Sequence, residues 1–133
     1  YLMPTPGPTV IGNAPVHIAP ALNEQVRQKL LKAAQSAGDI TDGGIYWQTA
    51  GPRLETRAEI AMMSRFADLV GMTMASEAII AQEMEIPFAS LCSVDNFAHG
   101  LGDKQLTMEQ IREHAQRNIE KISLILDRYI TVR

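Results

Sequence analysis

One cysteine, Cys92, stands in 133 residues. That excludes a disulfide within the chain and a cysteine-built zinc site, and a lone thiol fits a reducing compartment. A basic excess is also lacking. Twelve Lys and Arg face fifteen Asp and Glu, a net charge of −3. The chain therefore has no bias of the kind expected of a nucleic-acid or anionic-membrane binder. Apolar runs are only a few residues long, too short to cross a bilayer as a helix. The three histidines, His17, His99 and His114, lack metal-ligand spacing. No Ser/His/acid triad can be argued from spacing, and there is no internal repeat. No glycine-rich phosphate loop occurs either, because Gly43 and Gly44 precede a strand instead of opening a helix. The chain opens at Tyr1 inside a proline-rich stretch, and the expectation is a polypeptide that begins earlier.

What is present reads as a single small folded domain. Hydrophobic residues are 46% and charged residues 20% of the chain, which is not the balance of a disordered tail. Residues 1–20 carry five prolines, at 4, 6, 8, 15 and 20, and read as a loop or extended arm. Residues 21–133 read as alternating helices and strands. A helix runs from Leu22 to Ala37, with Asn23 as cap and Gly38 at its end. A strand follows over 45–50, then a turn at Gly51-Pro52. Thr56 and Glu59 have capping-box spacing for a helix to about Arg65. A second strand spans 67–71, a helix 76–84, and a third strand, buried on both faces, Phe88 to Val94. Residues 98–105 form a glycine-containing loop. Thr107 caps a long helix with an apolar stripe of Met108, Ile111, Ala115, Ile119, Ile122, Ile125 and Leu126. Alternation of this kind implies an α/β layered fold with at least partly parallel strands. Three strands make a thin sheet, so half of it is expected to lie elsewhere.

In open α/β sheets, ligands sit outside the carboxyl ends of the strands. Those ends hold Gly51–Thr56, then Met72 and Thr73, then Asp95 and Asn96. A carboxylate, a hydroxyl and an amide at one rim suit a small polar ligand with a heterocycle. Each residue also has a plainer reading. Glu55 could favour a helix N-terminus. Thr73 could be a cap, and Asn96 a turn residue. Met72 and Met108 could fill a core. His17, His99 and His114 read as solvated, and Cys92 as an inert core residue.

Three segments in order change that balance: GPRLETRAE (51–59), DLVGMTMASEAIIAQE (68–83) and SLCSVDNFAHG (90–100). With them the chain, from about His17 to the last helix, resembles the C-terminal half of the trimeric purine nucleoside phosphorylase and methylthioadenosine phosphorylase family. The resemblance implies the α/β nucleoside phosphorylase fold, a mixed sheet flanked by helices. It implies phosphorolysis of a purine nucleoside to free base and pentose 1-phosphate. Inorganic phosphate is then the co-substrate, with no metal or other cofactor. By resemblance, Glu55 accepts from N1–H of a 6-oxopurine, and Asn96 faces N7 and O6. Leu54 packs where phenylalanine is usual, and Ala98 falls where the adenine-specific branch has a second aspartate. Met72 lines the ribose and Thr73 binds phosphate. Met108 sits in the 5′ pocket, where an apolar residue goes with methylthio substrates. His17 resembles a loop histidine that reaches the neighbouring subunit's 5′ site. Glu55 with Asn96 is the 6-oxopurine combination, which points to methylthioinosine, inosine or guanosine. Methylthioadenosine is the alternative substrate, and a non-catalytic nucleoside-binding half-domain the alternative function. A nucleoside hydrolase on the same fold is a further rival.

The family's Val-Pro-Glu reads Ala75-Ser76-Glu77 here, a change at a helix start. Family members are roughly twice as long, and the other half carries most phosphate ligands. The expected partners are therefore the N-terminal half of the same enzyme and further copies in a homotrimer or hexamer. A cytoplasmic setting is expected, with no nucleic acid or membrane partner.

Overall fold

The computed structural model describes residues 1–4, 17–38, 40–102 and 107–131. Most of the proline-rich arm, and residues 103–105 of the glycine-containing loop, lie outside the described residues.

Helix α1 (Glu24–Ala34) begins where Asn23 Oδ1 accepts from Val26 N–H at 2.9 Å. A 3₁₀ turn (Gln35–Ala37) extends it to Gly38, whose φ of 101° suits glycine at the stop. Strand β1 (Tyr46–Gln48) follows, then α2 (Arg57–Met63). The capping box at Thr56 and Glu59 forms in full. Strand β2 (Leu69–Gly71) pairs with β1 in parallel, Tyr46 opposite Leu69 and Gln48 opposite Gly71. Leu2 adds a parallel bridge on Trp47, exchanging bonds with Tyr46 and Gln48. Helix α3 (Met74–Glu83) starts two residues earlier than its pattern predicts. Buried Gln48 fastens β1 to it, accepting from Ser76 N–H at 3.0 Å and donating to Ser76 Oγ. A proline at 76 could not make the first of those bonds. Helix α4 (Met108–Thr131) opens on reciprocal bonds between Thr107 and Gln110. The architecture is the expected α/β one, and both pairings among the described residues are parallel.

Two small cores hold these elements. Ala33 and Ala34 of α1 pack on Ile125 of α4, with Ile40, Leu91 and Tyr129 around them. Two alanines let the helices approach closely. Tyr46, Met74 and Ala78 form the second core, with Tyr1, Leu69 and Phe88 against it. On α4 only part of the predicted stripe turns inward. Ile125 is buried and Ile111, Ala115 and Ile122 are half-buried, but Met108, Ile119 and Leu126 are exposed.

The third strand does not form. Phe88 to Val94 runs without a ladder, and Phe88 O accepts a single bond from Asn23 N–H at 2.7 Å. A strand exists by pairing with a neighbour, and this segment instead spends Phe88 on one core and Leu91 on the other. It is not buried on both faces either, since Ser90, Cys92, Ser93 and Val94 are exposed. Cys92 is therefore a surface thiol and no core residue, with its Sγ 3.4 Å from Ser90 Oγ. No helix among the described residues is long and apolar enough to cross a membrane.

Candidate active site

The strand β1 ends at Gln48, so Thr49 is the first residue beyond it. Thr49 N–H still follows the ladder, donating to Gly71 O at 2.9 Å. The chain then turns at Gly51, where φ is +62° and an added Cβ would sit 2.4 Å from Met72 Sδ. Glycine is required there on both counts. The turn brings Glu55 back to the end of β1, where Thr49 Oγ1 donates to Glu55 Oε1 at 2.7 Å. Glu55 does not serve the α2 N-terminus, because Thr56 and Glu59 already fill that role. Arg53 clamps Glu59 through both guanidinium nitrogens, at 2.8 and 2.7 Å. With Thr56 N–H, it holds the Glu59 carboxyl down to about 2.

The 95–102 loop closes on this turn. His99 Nδ1 lies 3.0 Å from Glu55 O; a carbonyl only accepts, so Nδ1 carries the proton. Gly100, at φ +88°, lies so near Arg57 that a Cβ would meet Arg57 Cγ at 2.8 Å. The other end of the loop is tied to α4. His114 Nδ1 donates to Asp95 O at 2.5 Å, and Asn118 Nδ2 to Asp95 Oδ1 at 2.7 Å. His99 and His114 are thus half-buried and bonded, contrary to the expectation that they are solvated. Their partners are 44 and 19 residues away in sequence, beyond the reach of a local pattern.

At the strand ends, Glu55 meets the 95–102 loop through His99, and Met72 lies against the Gly51 turn. Glu55, Asn96 and Ala98 are half-buried there. Asn96 Nδ2 donates to Phe97 O at 2.9 Å, leaving its second N–H. Ala98 O accepts from Leu101 N–H at 3.0 Å. Met72 and Leu54 are 54% and 47% exposed, too open to be core fillers. Thr73 is exposed and stands at the N-cap position of α3 as expected, its C=O accepting from Glu77 N–H at 3.1 Å, but its side chain makes no capping bond and stays free for another partner. Its N–H lies 3.4 Å from Tyr46 Oη. Met108 is 61% exposed and His17 exposed, and no described contact brings either to the rim. Two further groups touch Glu55, Thr49 and His99, and neither is marked as a site residue by its sequence pattern. The sequence pattern runs the strand to Ala50, whereas β1 ends at Gln48, which makes Thr49 a strand-end residue. An open depression of about 650 Å³ lies along α1, lined by Gln28, Leu31, Lys32, Gln35, Ile40 and Asp42. Asp42 is already paired with Arg27, and none of these is a rim residue.

A probable 6-oxopurine nucleoside phosphorylase of Archaeoglobus fulgidus is 42% identical over 123 residues, 91% of this chain and 51% of the relative. A probable S-methyl-5′-thioinosine phosphorylase of Methanosarcina acetivorans is 43% identical over 101 residues, 74% of this chain and 39% of the relative. Among solved structures, methylthioadenosine phosphorylase of Schistosoma mansoni in complex with adenine superposes with a TM-score of 0.71 at 22% identity. That match covers 82% of this chain and 45% of the other. The chain spans about half the length of the curated relatives it matches. Residues 4–131 match the family model of the phosphorylase superfamily, and the chain belongs to that superfamily.

Proposed function

We propose that this chain carries the base and ribose side of an enzyme that cleaves 6-oxopurine nucleosides with inorganic phosphate. The observation that carries the reading is the carboxylate of Glu55, held half-buried at the rim beside the Asn96 loop. A 6-oxopurine presents N1–H, which a carboxylate accepts. Adenine has no proton at N1 and would face an unpaired acid, a mismatch worth about 10²-fold or more. The methylthioadenosine alternative is therefore disfavoured. The names of the relatives cited above support the 6-oxopurine choice.

Breaking C1′–N9 leaves positive charge on the sugar and negative charge on the purine, through an oxocarbenium-like transition state. Asn96 donates its second amide N–H to N7, where negative charge builds. One such preorganised donor is worth about 3 kcal/mol. Glu55 orients the base, with Leu54 and Ala98 beside it. Thr73, whose hydroxyl caps no helix, holds phosphate in line under C1′. Met72 lines the ribose and excludes water. The remaining phosphate ligands come from the other half of the enzyme, residues 21–133 being the C-terminal portion of one domain. The assembly is a homotrimer, or a hexamer of two, in which His17 reaches the next subunit's 5′ pocket and Met108 lines that pocket. The exposed thiol of Cys92 supports a reducing, cytoplasmic setting.

The test is release of free base from inosine and methylthioinosine by the full-length enzyme, with and without phosphate. Turnover should require phosphate; phosphate-independent release makes it a hydrolase. Asn96→Asp should lower the inosine-to-adenosine ratio of kcat/KM, and an unchanged ratio removes Asn96 from base recognition.

A further inference from the structure

Under the proposed function, base choice rests on where one flexible side chain points. Glutamate has several rotamers, and a carboxylate that wanders among them discriminates poorly. Here both ends of Glu55 are held by groups that belong to neither the base nor the phosphate. His99 Nδ1 donates to its carbonyl at 3.0 Å. Thr49 Oγ1 donates to its Oε1 at 2.7 Å. The hydroxyl has one hydrogen, and its other neighbour, Gly71 O, is 3.5 Å away, too far to compete. Thr49 is itself fixed. Its N–H is bonded to Gly71 O at 2.9 Å, and its β-branched side chain has few χ1 choices. The intervening turn is closed by Met72 against Gly51.

We infer that Thr49 is a positioning residue for base selection: its hydroxyl occupies Oε1 of Glu55 and leaves Oε2 to face the N1–H edge of a 6-oxopurine. A bond to a charged acceptor is among the stronger hydrogen bonds, because the acceptor's ionic charge adds to the attraction. Thr49 is also where a purely packing residue such as valine would fit equally well by shape, so the hydroxyl is the informative part. The inference rests on the proposed reading of Glu55.

The experiment uses the full-length enzyme and compares kcat/KM for inosine and adenosine in Thr49→Val, Thr49→Ser, Glu55→Gln and the Thr49→Val/Glu55→Gln double variant. Thr49→Val should cut the inosine preference on the order of tenfold, the worth of one hydrogen bond to a charged group. The loss should fall mainly in KM for inosine. Thr49→Ser should keep the preference, because it keeps the hydroxyl. In the Glu55→Gln background, Thr49→Val should change the ratio no further. Thr49→Ala serves the same comparison if the valine variant does not fold. If Glu55→Gln shifts the ratio and Thr49→Val does not, or if Thr49→Val lowers both substrates alike, the positioning role is wrong and the base reading stands. If Glu55→Gln itself leaves the ratio unchanged, the base reading and the positioning role fall together.

Discussion

The α1–α4 side of the molecule and the rim at the strand ends are built on opposite terms. Where α1 meets α4, Ala33, Ala34 and Ile125 are 1–2% exposed and packed by Leu91 and Tyr129. Lys29 Nζ covers the Tyr129 ring at 4.8 Å, adding a cation–π contact. At the rim the large apolar side chains face outward: Phe97 is 76% exposed, Val94 65%, Met72 54%. Yet the rim is where bonds between distant segments converge, on Glu55 and Asp95. One side spends its residues on its own stability. The other holds polar groups in place and leaves apolar surface to be covered by something else, which in the proposed enzyme is nucleoside, the N-terminal half and a neighbouring subunit.

The sharpest way to break this contrast is at Ile125. Ile125→Ala removes the centre of the α1–α4 core and should cost about 2–5 kcal/mol, read as a fall in the urea midpoint. A loss below about 1 kcal/mol would mean that this core is not what holds the helices together. On the open side Met108 should behave in reverse. Met108→His alters an exposed side chain, so stability should move by less than about 0.5 kcal/mol. In the proposed 5′ pocket, however, a methylthio group buries roughly 40 Å² of apolar area, about 1 kcal/mol at ~25 cal/mol per Å². The variant should lose on the order of tenfold in kcat/KM for methylthioinosine and spare inosine. If both substrates fall together, or neither changes, Met108 is no part of that pocket.

The smallest effect expected is in acid. Arg53 holds the Glu59 carboxyl down to about 2 from 4.5, and Arg27, aided by Gln28, does the same to Glu24. A carboxyl depressed in the folded state stabilises fully above its unfolded value. That stabilisation fades as pH falls from about 4.5 toward 2. Glu24 is exposed and Glu59 only half-buried, so solvent screening keeps the effect small. Glu59→Gln should make the acid limb of a stability–pH curve slightly shallower between those values. Parallel limbs in variant and wild type would show that the clamp beside the rim contributes orientation only.

Helix ends were legible in the sequence because they are local. Asn23, the Thr56–Glu59 box and Thr107 each bond within four residues, and all three form as their spacing predicts. Two of the three expected strands form. What failed was non-local. Phe88 to Val94 has strand-forming residues, but a strand needs a partner, and none pairs with it among the described residues. The histidines at 99 and 114 are more buried, and the thiol at 92 more exposed, than their sequence neighbours suggest, because burial is set by whatever segment lies opposite.

The helices, two of the strands and the caps at Asn23, Thr56 and Thr107 were thus determined by the sequence, since each depends on neighbours a turn or two away. Which face of α4 turns inward, how His99 and Thr49 grip Glu55, and how His114 and Asn118 hold Asp95 were decided only by the tertiary structure. Those bonds join residues from 6 to 44 positions apart. The turns and packing that bring such residues within 3 Å come from the fold as a whole, and no single stretch of the sequence encodes them.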